Sequence, residues 1–267
     1  MRYLPIEDVT EEMTLARPIF GGDGRVLLTN GVKLAPTFLK KLKEMEYTHL
    51  YVYEPEDQTM ITFTPPISDS TNSEALQGVR DSFIQATKRQ HMNLKYVYKA
   101  VDYIIDEILE NPLVLHNVID IYNHSTYIYL HSVNVCVIST IIGKRLELAR
   151  DKVKELAVGA LLHDLGMVCI EPLIIETSTC LTKKEFEQIR EHSKFGYDLL
   201  RTVPNLSILT AHVAYQHHER EDGSGYPRRL TGKDIHIYAK IVAVADSYDA
   251  MTSSRIYKKA LWSHEAI

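Results

Sequence analysis

Apolar and polar positions divide the chain into three stretches. In the first sixty residues the apolar positions come in short runs. Residues 14–20 and 25–29 flank Gly21-Gly22-Asp23-Gly24, a turn cluster that closes a hairpin. Pro36 stands where a first helical turn begins, and Phe38, Leu39, Leu42 and Met45 follow at helical spacing. Residues 48–53 form a β-branched and aromatic run that predicts another strand. Residues 54–71 are polar, carry Pro55, Pro65 and Pro66, and read as a linker, with Thr71-x-x-Glu74 as a candidate capping box. Beyond it Leu76, Val79, Phe83, Ala86, Leu94, Val97, Val101, Ile104 and Ile108 keep a helical rhythm, with Gln90 filling one position. This predicts either a helix packed on the domain behind it or a parallel dimer stalk; the polar position and one stutter favour packing.

After Asn111-Pro112 the pattern is helical almost throughout, with candidate helices at 113–122, 127–146, 150–163, 183–191, 192–201, 206–217 and 237–251. No strand-like alternation of any length interrupts them, so the fold class is mainly α: an all-helical domain preceded by a small β-rich (α+β) N-terminal domain. The boundaries predicted are 1–62 for that unit, 63–110 for the linker and connecting helix, and 111–267 for the helical domain.

Composition narrows the classes. No apolar run reaches the roughly 18 residues of a membrane span, and residues 1–10 lack a signal-peptide core, so a cytoplasmic protein is expected. Cys136, Cys169 and Cys180 are odd in number and form no C-x-x-C, which argues against a disulfide framework and a thiolate zinc site. A net charge of −5 is poor support for a nucleic-acid polymer as partner. Twelve histidines are the unusual count, and histidine is the commonest metal ligand.

Five of them gather at the ends of apolar helices in the C-terminal half. His163-Asp164 closes one, His217-His218 closes another, Asp246 ends a third apolar stretch, and His131 and His192 lie on separate helices. A carboxylate at the buried end of an apolar helix is costly unless paired, and a cation resolves that cost. Adjacent helical residues point about 100° apart, so His217 and His218 reach one centre most easily where the helix unwinds. Nitrogen and carboxylate donors without thiolate suit iron, manganese or zinc. His49, His91, His116, His124, His212, His236 and His264 are read as packing, surface or supporting residues, with His124 the one placed to face the site.

These residues resemble the HD-GYP phosphodiesterases of bacterial cyclic-di-GMP signalling. The resemblance runs from about His131 to Tyr257, through Leu161-Leu162-His163-Asp164-Leu165-Gly166, Leu181-Thr182, Glu191-His192 and Gly196. It continues with His217-His218-Glu219-Arg220, Asp222-Gly223-Ser224-Gly225-Tyr226-Pro227, Ala243-Val244-Ala245-Asp246 and Asp249-Ala250-Met251-Thr252-Ser253-Ser254-Arg255. It implies an HD-type bundle in which His131, His163, Asp164 and Asp246 surround one metal. Asp164, the catalytic aspartate, bridges to a second metal held by His192, His217 and His218. Where some members place a Glu for a third metal this chain has Tyr127, so two divalent ions are expected: iron or manganese first, with zinc, nickel or magnesium as alternatives. Tyr226 and Arg255 match substrate-phosphate contacts, and Asp222 and Asp249 are candidates to orient metal-bound imidazoles.

The activity implied is hydrolysis of cyclic-di-GMP to pGpG, or on to GMP, by a metal-bridging hydroxide. Two departures stand out: Met167 replaces the family's Lys, and Thr177-Ser178-Thr179 replaces its K-P-G turn. Met167 keeps open a cyclic-di-GMP receptor of reduced or no activity; a hydrolase of another cyclic dinucleotide or nucleotide is the other alternative. Homodimerisation through 72–110 and signalling-protein partners, engaging 196–230 or the stalk, complete the expectations. The family's domain normally continues through further helices, so its C-terminal end reads as incomplete at Ile267.

Overall fold

In the computed structural model, the described residues are 2–21, 25–45, 47, 49–55, 66–88, 91–110, 127–175 and 181–252. The N-terminal unit is a small antiparallel sheet with one helix. Strands β1 (Arg2–Pro5), β5 (His49–Tyr53) and β2 (Thr14–Leu15) pair in the order β1-β5-β2, with Tyr3 opposite Tyr51 and Leu15 opposite Val52. β3 (Ile19–Phe20) and β4 (Val26–Leu28) form the predicted hairpin, with a register shift between Ile19 and Phe20. The predicted 14–20 strand is split, because β2 joins β5 while β3 joins β4. β1 was not foreseen: its four residues are too few for alternation to stand out. Helix α1 (Pro36–Glu44) starts on Pro36 as expected, and Leu15, Ile19, Leu34, Leu42, Leu50 and Val52 form this unit's own core.

The single helix expected from Leu76 to Ile108 is two helices, α2 (Asp69–Thr87) and α3 (Lys95–Glu110), packed on one another. Ser68, three residues before Thr71, is the N-cap, its hydroxyl accepting from the Thr71 N–H at 3.3 Å. Gly78 permits the close approach: a Cβ there would stand 3.3 Å from the backbone of Tyr96 and Val97. Val79, Phe83, Val97, Val101, Ile104 and Ile108 are buried in the chain's main core. This apolar stripe is therefore not the seam of a dimer stalk.

The rest is helical: α4 (Tyr127–Arg145), α5 (Arg150–Leu161), a 3₁₀ turn (Leu165–Cys169), α6 (Pro172–Ile175), α7 (Lys183–Arg190), α8 (His192–Leu200), α9 (Ile208–Gln216) and α10 (Ile237–Thr252). α4 packs on α5 and α10, α5 on α9, and α8 on both α9 and the 3₁₀ turn. Thr182 and Glu185 form a reciprocal capping box at the start of α7. No helix among the described residues is long and apolar enough to cross a membrane. The predicted 113–122 helix, Thr177-Ser178-Thr179, Cys180, Arg255, His116, His124 and His264 lie outside the described residues.

Candidate metal centre

The site forms where five helices bring polar side chains to one end of the bundle. His131 lies on α4, and Asp246 and Asp249 lie three residues apart on α10, so both carboxylates reach the face that packs on α4. α5 is buried along its last six residues and stops at Leu161, which leaves His163 and Asp164 in the turn leading to Leu165. His192 opens α8. α9 ends at Gln216, so His217 caps it and His218 lies beyond; the unwinding frees two adjacent imidazoles to face one centre.

Glycine at 166 seats α8. A Cβ there would collide with the His192 carbonyl oxygen and the Gly196 nitrogen, so the bare backbone sets how closely His192 approaches Asp164.

Asp164 is the hub. Its Oδ1 is 3.3 Å from His192 Nε2 and 3.6 Å from His217 Nε2, and its Oδ2 is 3.5 Å from His163 Nε2 and 3.8 Å from His131 Nε2. His131 Nε2 is also 3.2 Å from Asp246 Oδ1, and His218 Nδ1 is 4.0 Å from Asp246 Oδ2. Asp164, His192, His217 and His218 can place one donor atom each within 4.8 Å of one another, as can His131, His163 and Asp164. Asp164 belongs to both groups.

The far ring nitrogens are already engaged. Nδ1 of His163, His192 and His217 meets the carbonyl oxygens of Ala160 (2.7 Å), Ile189 (2.6 Å) and Ala214 (2.9 Å). A carbonyl only accepts, so each Nδ1 carries the proton and each Nε2 presents a lone pair inward. His192 Nε2 and His217 Nε2 then face each other at 3.3 Å, and His163 Nε2 is buried with no hydrogen-bond partner among the described residues. Lone pairs converging on a carboxylate repel unless a cation lies among them, and the donor set suits a divalent metal ion.

The site's electrostatics divide along the same lines. Burial favours neutral imidazole at His163, held at about 4, and lowers His192 and His218 as well. Burial opposes protonation of His131 too, yet hydrogen bonds to Asp246 and Asp249 raise it to about 10. His217 is raised, Asp164 outweighing desolvation. Desolvation disfavours charge on Asp164 and Asp246, but the surrounding imidazoles hold both carboxyls well below the usual range.

Of the sequence-derived candidates, His131, His163, Asp164, His192, His217, His218 and Asp246 come together, and the Tyr226 ring stacks on His218 with centroids 4.7 Å apart. Asp249 bonds His131 Nδ1 at 2.7 Å. Asp222 does not orient an imidazole: it is exposed and accepts from the Ser224 N–H and hydroxyl in a local turn.

Three residues escaped the sequence reading. Asn134 donates to Asp249 Oδ1 at 2.7 Å, one helical turn from His131. Glu219, 5% exposed, accepts from the N–H groups of Arg228 (2.7 Å) and Leu230 (2.9 Å) and so closes the loop carrying Tyr226. Arg190 lies with its guanidinium carbon 4.4 Å from the Tyr226 ring centroid. The available signals were the i+3 spacing, the acid within H-H-E, and a base two residues before His192.

Comparison with known proteins bears on this site. The family described as HD domain matches residues 114–267. The cyclic di-GMP phosphodiesterase PA4108 of Pseudomonas aeruginosa is 35% identical over 195 residues, which are 73% of this chain and 47% of that protein. The cyclic di-GMP phosphodiesterase of Thermotoga maritima is 32% identical over 72% of this chain and 52% of its own length. The 3'3'-cGAMP-specific phosphodiesterase 1 of Vibrio cholerae is 31% identical over 61% of this chain and 37% of its own. The chain thus spans about half the length of the first two. In structure, Bd1817, a HDG"Y"P protein from Bdellovibrio bacteriovorus, shares the fold with a TM-score of 0.61, covering 99% of this chain and 91% of that chain at 17% identity.

Proposed function

The chain belongs to the HD domain family, and on that premise we propose that it is a metal-dependent phosphodiesterase that cleaves cyclic-di-GMP to linear pGpG, with GMP as the product of a second cut. The observation that carries this reading is the convergence of inward-facing imidazole lone pairs on Asp164. His131, His163, Asp164 and Asp246 would hold one divalent ion, and Asp164, His192, His217 and His218 the second, iron or manganese in both places. Bound there, the ions would supply an acidified water and positive charge against the phosphoryl oxygens.

The chain's own groups then have defined tasks. Backbone carbonyls keep three imidazoles turned inward. Asp249 holds His131, and Asp164 couples the two halves of the centre. Burial, with Asp164 and Asp246 nearby, pushes the Tyr226 phenol far above its ordinary range, so its hydroxyl stays protonated and can donate to a phosphate oxygen. Arg255 is assigned the same anion. Relatives named as 3'3'-cGAMP-specific phosphodiesterases support a second substrate reading, another cyclic dinucleotide.

The test is anaerobic purification, loading with Fe(II) or Mn(II), elemental analysis, and turnover of cyclic-di-GMP, 3'3'-cGAMP and nucleoside triphosphates side by side. Product from cyclic-di-GMP by the wild type, lost with Asp164→Ala together with the metals, supports the reading. Turnover surviving in Asp164→Ala with unchanged metal content overturns the site, and tight binding without product supports a receptor in which Met167 has removed catalytic charge.

A further inference from the structure

We propose that Arg190 is a phosphate-binding residue of the dinucleotide site, supplying a positive charge that Met167 leaves out; the inference rests on the hydrolase reading above. Three rings and planes stand in series. His218 faces the centre, Tyr226 stacks on it with centroids 4.7 Å apart and an interplanar angle of 28°, and the Arg190 guanidinium covers the Tyr226 ring at 4.4 Å. A guanidinium held over a ring face can keep N–H donors free to match phosphate oxygens in a fork.

Arg190 is half-buried, and among the described residues no carboxylate lies within ion-pair distance of it. Other cations of the fold are committed elsewhere: Lys154 to Asp102, Arg150 to Asp106, Arg201 to Asp198 and Lys240 to Glu221. A half-buried guanidinium without a counter-ion among the described residues, beside a ring that stacks on a candidate metal ligand, is prepared for an anion that arrives with the substrate.

Its placement also relates it to Met167. The 3₁₀ turn and α8 touch through Gly166 and the His192 backbone. Met167 follows the first of these residues, and Arg190 precedes the second by two. Met167 itself packs against the main core as a half-buried apolar side chain. The cation is thus absent from one side of this contact and present on the other. Arginine suits the position better than lysine, because a planar guanidinium can lie over Tyr226 and still offer several N–H donors to a phosphate.

The test compares metal-loaded full-length wild type with Arg190→Gln and Arg190→Lys, by calorimetric titration with cyclic-di-GMP and by steady-state kinetics. Expected for Arg190→Gln is a Kd and KM about tenfold or more above wild type. Expected alongside are a smaller change in kcat, wild-type metal content, and partial recovery of affinity in Arg190→Lys. Affinity within about twofold of wild type, or affinity lost together with the metals, overturns the proposal. Inorganic phosphate titrated against the same proteins repeats the comparison without the nucleotide, so a wrong substrate assignment leaves the Arg190 result readable. Wild-type protein that binds without turnover overturns hydrolysis alone, and the Kd comparison still decides Arg190.

Discussion

His131 and Asp249 meet at 2.7 Å through Nδ1 and Oδ2 across 118 residues of chain, and that bond aims the opposite nitrogen of the ring at Asp246 and Asp164. Asp249 is fully buried and is itself held by Asn134. Its carboxylate supports a proposed ligand through the ring nitrogen that faces away from Asp164 and Asp246. Such supports govern ring orientation and basicity, so their loss weakens a metal site that keeps all its ligands.

Asp249→Asn should therefore lower metal affinity or turnover by about 10–100-fold while every proposed ligand remains. Chelator competition and elemental analysis measure the first, and product formation the second. Wild-type metal affinity in this variant would show that the bond is incidental.

Metal affinity should rise with pH. His131, at about 10 in the metal-free protein, binds a proton that a metal must displace. His163, at about 4, is already neutral. Each displaced proton contributes about a tenfold gain in affinity per pH unit, up to the metal-free pKa of the group that releases it. Calorimetry in two buffers of different ionisation enthalpy counts the protons released, and a flat affinity between about pH 6 and pH 8 contradicts the assignment.

Gly166→Ala should separate α8 from the 3₁₀ turn, since the added methyl meets the backbone of His192 and Gly196. Backbone has no rotamer by which to yield. A loss of about 1–3 kcal/mol is expected, seen as about 2–4 °C of melting temperature for each kcal/mol. Metal content should fall with it as His192 moves from Asp164.

Glu219→Ala should release the loop at Arg228 and Leu230. Two N–H groups lose an ionised acceptor, each bond being worth about 1.5–3 kcal/mol. KM should rise more than kcat falls, because Tyr226 loses its position while the proposed ligands keep theirs. Unchanged kinetics would separate this loop from substrate binding.

Met167→Lys should strengthen substrate binding by about three- to tenfold, a charge-assisted contact discounted for partial exposure. Steady-state KM reads it directly. A KM that does not move would show that an ammonium at this position does not reach the substrate.

Much of the fold was legible because it is local. Helices α4, α5, α7, α8, α9 and α10 fall within a few residues of the spans predicted from apolar spacing, and the hairpin of β3 and β4 flanks the Gly21–Gly24 turn cluster as its turn residues implied. The donor set was legible for a similar reason: adjacent His163-Asp164 and His217-His218 at the ends of apolar helices have no economical packing explanation. The break between α2 and α3 was not, because Leu94 continues the rhythm of Ala86 and periodicity does not record a reversal of direction.

By itself, then, the sequence determined the helical class, the polar residues placed at helix ends and the chemistry of their donors, since propensity and periodicity act over a few residues. Tertiary structure decided which of them meet. It chose Asp249 over Asp222 as the support of an imidazole, paired β1 with β5, decided between packing and a stalk by burying the 76–108 stripe in the chain's own core, and laid Arg190 over Tyr226. Each of these outcomes depends on how closely two backbones approach, as at Gly78 and Gly166. Close packing sets that distance, and no short stretch of residues encodes it.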